Sequence, residues 1–280
     1  MWQKSYDGSP TLYLVPTPIG NMEDITIRAI NVLKEVKVIF SEDTRVTSLL
    51  LKRYDIKSKL ICLEDHNEES VKNKVLSFLE SGSDVAIVSD RGTPLISDPG
   101  YKTVKYVVEK GYNVVSLPGA TAFVPALTMS ALPPLPFLLY GFLNSRESKR
   151  IKELESLREF GYSIVFYESP HRIKKVLEEM FDIFGNRDIS ISREISKKFE
   201  SVYRGNLCDV VNSIDNIKGE FVIVISGNND ISNDCDIDYN DLISKKIEEG
   251  YSVMDSIKLI ASRYGVSKNI LYKKYHGGNK

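Results

Sequence analysis

The densest set of chemically capable groups in this 280-residue chain is the run Ser89-Asp90-Arg91-Gly92-Thr93-Pro94-Leu95-Ile96-Ser97-Asp98-Pro99-Gly100. It follows Asp84-Val85-Ala86-Ile87-Val88, an apolar run of the kind that forms a buried parallel strand. Glycine and proline within the run stop the strand and forbid an immediate helix. Two carboxylates, Asp90 and Asp98, are left in a loop beyond a strand's carboxyl end, where open α/β sheets bind ligands. Such a loop, poor in bulky side chains, suits a backbone-lined cradle for a small polar molecule; taken alone, it is equally an ordinary strand-to-helix turn.

Comparable loops follow nearly every other expected strand: 16–21 (PTPIGN), 41–45 (SEDTR), 117–121 (LPGAT), 168–172 (ESPHR) and 192–194 (SRE). If the strands run parallel, these loops gather on one edge and line one concave site. Neither a Gly-x-Gly-x-x-Gly turn nor a Gly-x4-Gly-Lys-Ser/Thr loop is present, so dinucleotide and P-loop sites are not indicated. No Gly-x-Ser-x-Gly elbow occurs either.

The elements that must position these loops read as an alternation. Strands are expected at 11–15, 36–41, 59–63, 84–88 and 112–117, with helices at 24–35, 44–54, 67–80, 99–110 and 120–129. Asp24 is the expected N-cap of the first helix. This alternation predicts a mainly parallel, doubly wound sheet. The proline-rich segment 132–136 reads as a linker, giving a first α/β domain over 1–132 and a second over 137–228. In the second, strands at 137–141, 163–167, 188–193, 199–204 and 220–226 surround helices at 146–160 and 170–184. The last two strands suggest a mixed sheet with antiparallel edges. Residues 239–280 read as a small helical module with weak helix-turn-helix spacing and a turn at 265–267.

Composition sets the broad class. Hydrophobic residues make up 42% of the chain and charged residues 27%, as in a globular protein with a sizeable core. No apolar run is long enough to span a bilayer and the N-terminus lacks a signal-peptide core, so a cytoplasmic location without membrane contact is expected. Three scattered cysteines and three scattered histidines predict neither a disulfide framework nor a metal site. The net charge of −1 gives no global support for a nucleic-acid partner. The charge is uneven, however: residues 228–241 hold five aspartates and no basic residue, whereas 242–280 hold eight Lys or Arg against three acids. An acidic linker thus precedes a basic module, a candidate RNA contact together with Arg146, Lys149, Arg150 and Lys152.

The motifs TLYLVPTPIGNMED (11–24), SEDTR (41–45), DHNE (65–68), 89–100, 117–122, Gly141-Phe142-Leu143, 166–172, Arg193-Glu194 and Gly219-Glu220 occur in this order in one family. On them the chain resembles the tetrapyrrole methylase superfamily, and within it the 16S rRNA cytidine 2′-O-methyltransferases. The resemblance runs from about Thr11 to Gly227 and more loosely beyond. It implies two α/β domains with a cleft between them that holds S-adenosylmethionine, plus the helical C-terminal extension. Carried over by position, Ile19, Asp90, Gly92, Thr93, Thr121 and Ala122 line the cofactor, with Tyr167 from the second domain. Glycine at 92 suits close backbone approach because it has no Cβ. The resemblance further implies methyl transfer to the ribose 2′-hydroxyl of a decoding-centre cytidine in the small ribosomal subunit, and a homodimer.

Methyl transfer is an in-line displacement from sulfur, so alignment supplies much of the rate. A protonated ribose hydroxyl is a poor nucleophile, and a nearby base helps. Glu42, Asp43 and Arg45 are the first candidates: the acids to take a proton or orient the hydroxyl, the arginine to hold a phosphate. The alternative is a helix N-terminus that Asp43 or Thr44 caps, with Arg45 in solvent. Arg28, His66 and the Glu168-His171-Arg172 group rank second. Three positions depart from the family's usual pattern. Arg91 stands where a small residue, usually alanine, is typical; Val46 replaces a histidine; Asn144 replaces a proline. Val46 argues against an essential imidazole base there. Rival readings are a precorrin-type C-methyltransferase, and a cofactor-responsive rRNA-binding assembly protein without catalysis.

Overall fold

The computed structural model describes residues 2–5, 7–214, 218–228, 238–264 and 268–277, the side chains of 262–264 and 277 excepted. Most of the acidic segment and the turn at 265–267 lie outside the described residues. The chain divides into two compact units, one of residues up to 125 together with 194–201, the other of residues 126–193 and 202 onward. The proline-rich segment 132–136 therefore lies past the division, inside the second unit.

In the first unit five strands alternate with helices: β1 (Thr11–Val15), α1 (Ile27–Glu35), β2 (Val38–Ser41), α2 (Thr44–Arg53), β3 (Lys59–Cys62), α3 (Glu68–Glu80), β4 (Val85–Val88), α4 (Tyr101–Glu109) and β5 (Asn113–Ser116); α5 (Phe123–Met129) spans the division. The sheet order is β3-β2-β4-β1-β5 and every pairing is parallel. Successive side chains point to opposite faces. Leu12, Leu14, Phe40 and Ile87 therefore pack against Val71, Val75 and Val107 of α3 and α4. Val15, Ile39, Ala86 and Val88 pack against Ala29, Leu33 and Leu51 of α1 and α2. A sheet covered on both faces explains why its strands read as unbroken apolar runs. Because all strands run one way, the loops after β1 to β5 emerge at one edge.

Two local expectations change. Asp24 does not cap α1; Thr26 does, its hydroxyl accepting the Ala29 amide at 3.0 Å. Met22–Asp24 forms instead a 3-10 turn capped by Asn21, and the Asp24 carboxylate accepts the Ser196 hydroxyl. Of the two last strands expected at antiparallel edges of the second sheet, the one at Ser201–Asn206 is at an edge and the one at Phe221–Ile225 is central.

That second unit contains β6 (Phe137–Phe142), α6 (Glu147–Ser156), β7 (Ser163–Glu168), α7 (Ile173–Phe184), β8 (Asp188–Arg193), β9 (Ser201–Asn206), α8 (Leu207–Ser213) and β10 (Phe221–Ile225), in the order β6-β7-β10-β8-β9. β6 and β7 are parallel, and β10 is antiparallel to both β7 and β8 in the centre of the sheet. The reason lies in its composition: Phe221-Val222-Ile223-Val224-Ile225 is apolar on both faces and wholly buried, a run that an edge would expose. Leu154, Val176, Leu177, Met180, Leu207 and Val210 of α6 to α8 cover one face. Arg150 is also buried there, 3% exposed, with Nε and Nη2 paired to both oxygens of Glu179 at 2.6 and 2.7 Å. It is therefore withdrawn from any basic surface patch that Arg146, Lys149 and Lys152 form. Cys62 is a free thiol.

The chain continues as α9 (Tyr239–Glu248), α10 (Val253–Tyr264) and α11 (Lys268–Gly277). These helices share a core of Tyr239, Ile243, Ile257, Ile260, Ala261 and Leu271, so the expected helical module is present.

Candidate active site

The loop after β4 is tied down by its own backbone and by its neighbours. Thr17 and Gly92 exchange both N–H···O=C bonds at 2.9 Å. The Ser89 hydroxyl donates to the Gly92 carbonyl at 2.8 Å, and the Thr17 hydroxyl to the Ser89 carbonyl at 3.0 Å. Leu95 and Ser97 sit at φ 71° and 67°, left-handed values that non-glycine residues adopt only where the surroundings impose them.

These contacts assign work to the residues expected to line a cofactor. The polar backbone atoms of Gly92 are spent on Thr17. What glycine provides is its φ of 84°, strained for any other residue; a Cβ there would meet only ordinary contacts, 3.4 Å from Ile19 Cγ2 and 3.8 Å from the Ala120 carbonyl. Thr93 Oγ1 donates to that same carbonyl at 3.0 Å, binding the β4 loop to the β5 loop. Thr121 and Ala122 are half-buried, and their amides take no backbone partner among the described residues. These contacts link Ile19, Gly92 and Thr93 to Ala120, the residue before Thr121 and Ala122. A glycine cradle and free backbone donors fit a cofactor carrying a heterocycle, a ribose and an amino acid. Tyr167, on β7 in the second unit, packs its ring on Phe142 at 5.4 Å between centroids.

Asp90 turns toward the loop after β2, where its Oδ1 accepts the Asp43 amide at 3.0 Å. Asp43 is itself the N-cap of α2, accepting the Arg45 amide at 2.8 Å. It also holds the Arg45 guanidinium, Nη2 to Oδ2 at 2.6 Å. That arginine holds the Asp43 carboxyl down to about 2, so this acid is a weak proton acceptor. Arg45 presents its other face to solvent.

Glu42 behaves differently. Burial, then the charges of Asp90, Asp65, Glu64 and Asp43, raise its carboxyl above the ordinary range. Asp98, at the far end of the β4 loop, is pushed up to about 7 by burial and then by Glu42; a hydrogen bond from Ser89 opposes the shift. Glu42 and Asp98 are the basic carboxylates of this edge. The sequence placed Asp98 in the loop but gave no sign that it would face Glu42. Cys62 donates to Glu64 Oε1 at 2.9 Å, and that carboxylate with burial pushes the thiol up to about 11.

Among the second-rank residues, His66, Glu168 and Arg172 make local contacts, as does Glu68 of the DHNE motif. His66 pairs with Glu64 at 3.0 Å on the surface. Glu68 is buried and accepts the Thr103 amide at 2.9 Å at the start of α4. Arg172 pairs with the buried Glu168 at 3.0 Å and donates to the Leu143 carbonyl.

Ile19 also borders a cleft of about 490 Å³. Ile19, Val46, Leu49 and Leu50 supply apolar walls, Asp90, Arg91 and Thr47 supply polar groups, and Glu194 and Lys197 reach it from the returning segment 194–201. Lys197 and Glu194 are paired at 2.9 Å. Lys197 Cγ lies only 2.4 Å from where a Cβ on Gly20 would be, so this closure depends on a glycine there. The loop 192–194 was expected at the site, but nothing in the local sequence announced that Lys197 would reach the cleft with it.

Over this parallel sheet and most of the second, mixed sheet, residues 11–211 match the family of the tetrapyrrole (corrin/porphyrin) methylases. The uroporphyrin-III C-methyltransferase of Thermus thermophilus, solved in complex with S-adenyl homocysteine, is similar in fold. Its TM-score is 0.55 at 18% identity, over 78% of this chain and 97% of that one. Ribosomal RNA small subunit methyltransferase I of Bacillus subtilis (strain 168) is 42% identical over 285 residues, covering 98% of each chain. The protein of the same name from Halalkalibacterium halodurans is 40% identical over 284 residues, again covering 98% of each. The chain belongs to the tetrapyrrole methylase family, in the branch of these ribosomal RNA small subunit methyltransferases I.

Proposed function

We propose that this protein transfers a methyl group from S-adenosylmethionine to the ribose 2′-hydroxyl of a decoding-centre cytidine in 16S rRNA. The observation that carries the reading is the 42% identity, over 98% of both chains, to a relative named for small-subunit rRNA methylation. When bound, the cofactor supplies an electrophilic methyl on a sulfonium, leaving as a neutral thioether. The chain's own residues hold and activate. Ile19, Gly92, Thr93, Thr121 and Ala122 are the residues of the first unit assigned to the cofactor. Glu42, the more basic acid of the SEDTR turn, accepts the proton of the 2′-hydroxyl. Asp43 fixes the turn, and Arg45, held by Asp43 and open to solvent, contacts a backbone phosphate.

The partner is the small ribosomal subunit, recognised by shape and phosphate contacts rather than by overall charge. Among the described residues no helix is long and apolar enough to cross a membrane. A cytoplasmic homodimer is the form proposed. The deciding experiment incubates the protein and labelled S-adenosylmethionine with small subunits from a strain lacking the enzyme. Label in 16S rRNA at an alkali-resistant cytidine linkage is expected. Unlabelled rRNA despite measurable cofactor binding refutes the reading.

A further inference from the structure

The cleft beside Ile19 has the size of a small-molecule site, within the roughly 300–1,000 Å³ such sites span. Two of its polar residues have hydrogen-bonding capacity left over. Asp90 spends Oδ1 on the Asp43 amide, and its Oδ2 has no hydrogen-bond partner among the described residues. Thr47, 2% exposed, carries a hydroxyl with no partner at all among them. Buried hydroxyls are rarely left so, and each one calls for an explanation. Around these two groups Ile19, Val46 and Leu50 offer apolar surface suited to the faces of a flat heterocycle.

A carboxylate and a hydroxyl lining one cleft can read cytosine. The 4-amine donates to the carboxylate, and the hydroxyl serves N3 or O2. Uracil would set its 4-carbonyl oxygen against the Asp90 carboxylate, a repulsion that rejects it. We propose that this cleft receives the cytosine of the acceptor nucleotide, turned out of its stack, and that Asp90 and Thr47 read its edge. Turning the nucleotide out is the general solution for enzymes that must reach an atom inside folded nucleic acid. The proposal rests on the rRNA-methyltransferase reading and assigns Asp90 to the acceptor instead of to the cofactor.

Two variants test it, assayed on small subunits and, separately, by calorimetry with S-adenosylhomocysteine. Val46→Trp fills the cleft from a wall that is 41% exposed, where a larger side chain is accommodated. It is expected to lower kcat/KM for small subunits about 100-fold or more while cofactor-product affinity stays within about twofold. Thr47→Val removes the hydroxyl at nearly constant shape. It is expected to raise KM for small subunits about 10-fold, to narrow the preference for cytidine over a uridine-substituted target, and to keep or raise the melting temperature. Wild-type rates in both variants overturn the cleft assignment while leaving the methyltransferase reading intact. So does loss of cofactor-product affinity in Val46→Trp, or unfolding of Thr47→Val, which would make the hydroxyl structural. Failure of the wild-type protein to methylate small subunits refutes the underlying reading and the proposal with it.

Discussion

The carboxylate of Asp90 accepts the backbone amide of Asp43 at 3.0 Å, joining the loops that follow two neighbouring strands, β4 and β2. Through this bond the position of the SEDTR turn, and so of Glu42 and Arg45, depends on the loop that also shapes the cofactor side. Asp90→Ala is expected to lower unfolding free energy by about 1.5–3 kcal/mol, the range for a hydrogen bond to a charged group, as read by urea titration. Methylation of small subunits should fall at least in step. Asp90→Asn keeps an oxygen for the Asp43 amide, so its stability should stay near wild type while its preference shifts from cytidine toward uridine.

Gly92 combines a left-handed backbone with a missing side chain at Ile19 and Ala120. Gly92→Val adds a β-branched residue at φ 84°, where such residues are strongly disfavoured. Calorimetric affinity for S-adenosylhomocysteine is expected to drop about 10-fold or more because the paired Thr17 strand end must shift; unchanged affinity would refute a role for this cradle.

Asp98 gives stability a pH dependence. Its carboxyl titrates near 7 in the folded protein, well above the ordinary 3.8, because burial and Glu42 disfavour its charge. Between those values the folded state holds a proton that the unfolded state has lost, so this group's contribution declines as pH rises from about 4 to 7. Asp98→Asn should therefore flatten the fall in melting temperature over that window and leave the variant more stable than wild type at pH 8. A parallel pair of pH profiles would contradict the assignment.

In the second unit, Arg150→Ala leaves Glu179 buried without its partner. A loss of about 3–5 kcal/mol is expected from breaking such a pair, measured by chemical denaturation. The double variant Arg150→Met/Glu179→Leu should recover most of it, since no unpaired charge remains.

Along α11 the residues Lys268, Tyr272, Lys273 and His276 are exposed, and the helix contains no acid. Lys268→Glu/Lys273→Glu should weaken binding to small subunits and reduce its salt dependence by roughly one to two counterions. Affinity for S-adenosylhomocysteine should not change. Equal salt slopes would exclude this helix from the RNA contact.

Local pattern made much of this protein legible. Alternating apolar runs and polar loops predicted the order of strands and helices in the first unit, because a strand buried on both faces must be apolar throughout. The ordered loop motifs pointed to the methylase family that the full-length relatives bear out. The places where reading fell short share one cause: the deciding partner is distant in the chain. Arg150 reads as part of a basic surface cluster until Glu179, on another helix, is brought against it. Phe221–Ile225 reads as an edge until it is seen flanked by β7 and β8.

The sequence by itself determined which segments become strands, which loops carry chemistry, and the family to which those loops belong, since these follow from neighbours a few residues apart. Only the tertiary structure decided how the loop residues divide their work. Asp43 became a cap held near 2, Glu42 became more basic through burial and the charges of Asp90, Asp65, Glu64 and Asp43, Asp98 through burial and Glu42, and Gly92 took up a left-handed turn. It also brought 194–201 back to close the cleft over Gly20. A carboxylate's basicity depends on which charges and how much water surround it, and a parallel sheet assembles that environment from loops some tens of residues apart in the chain.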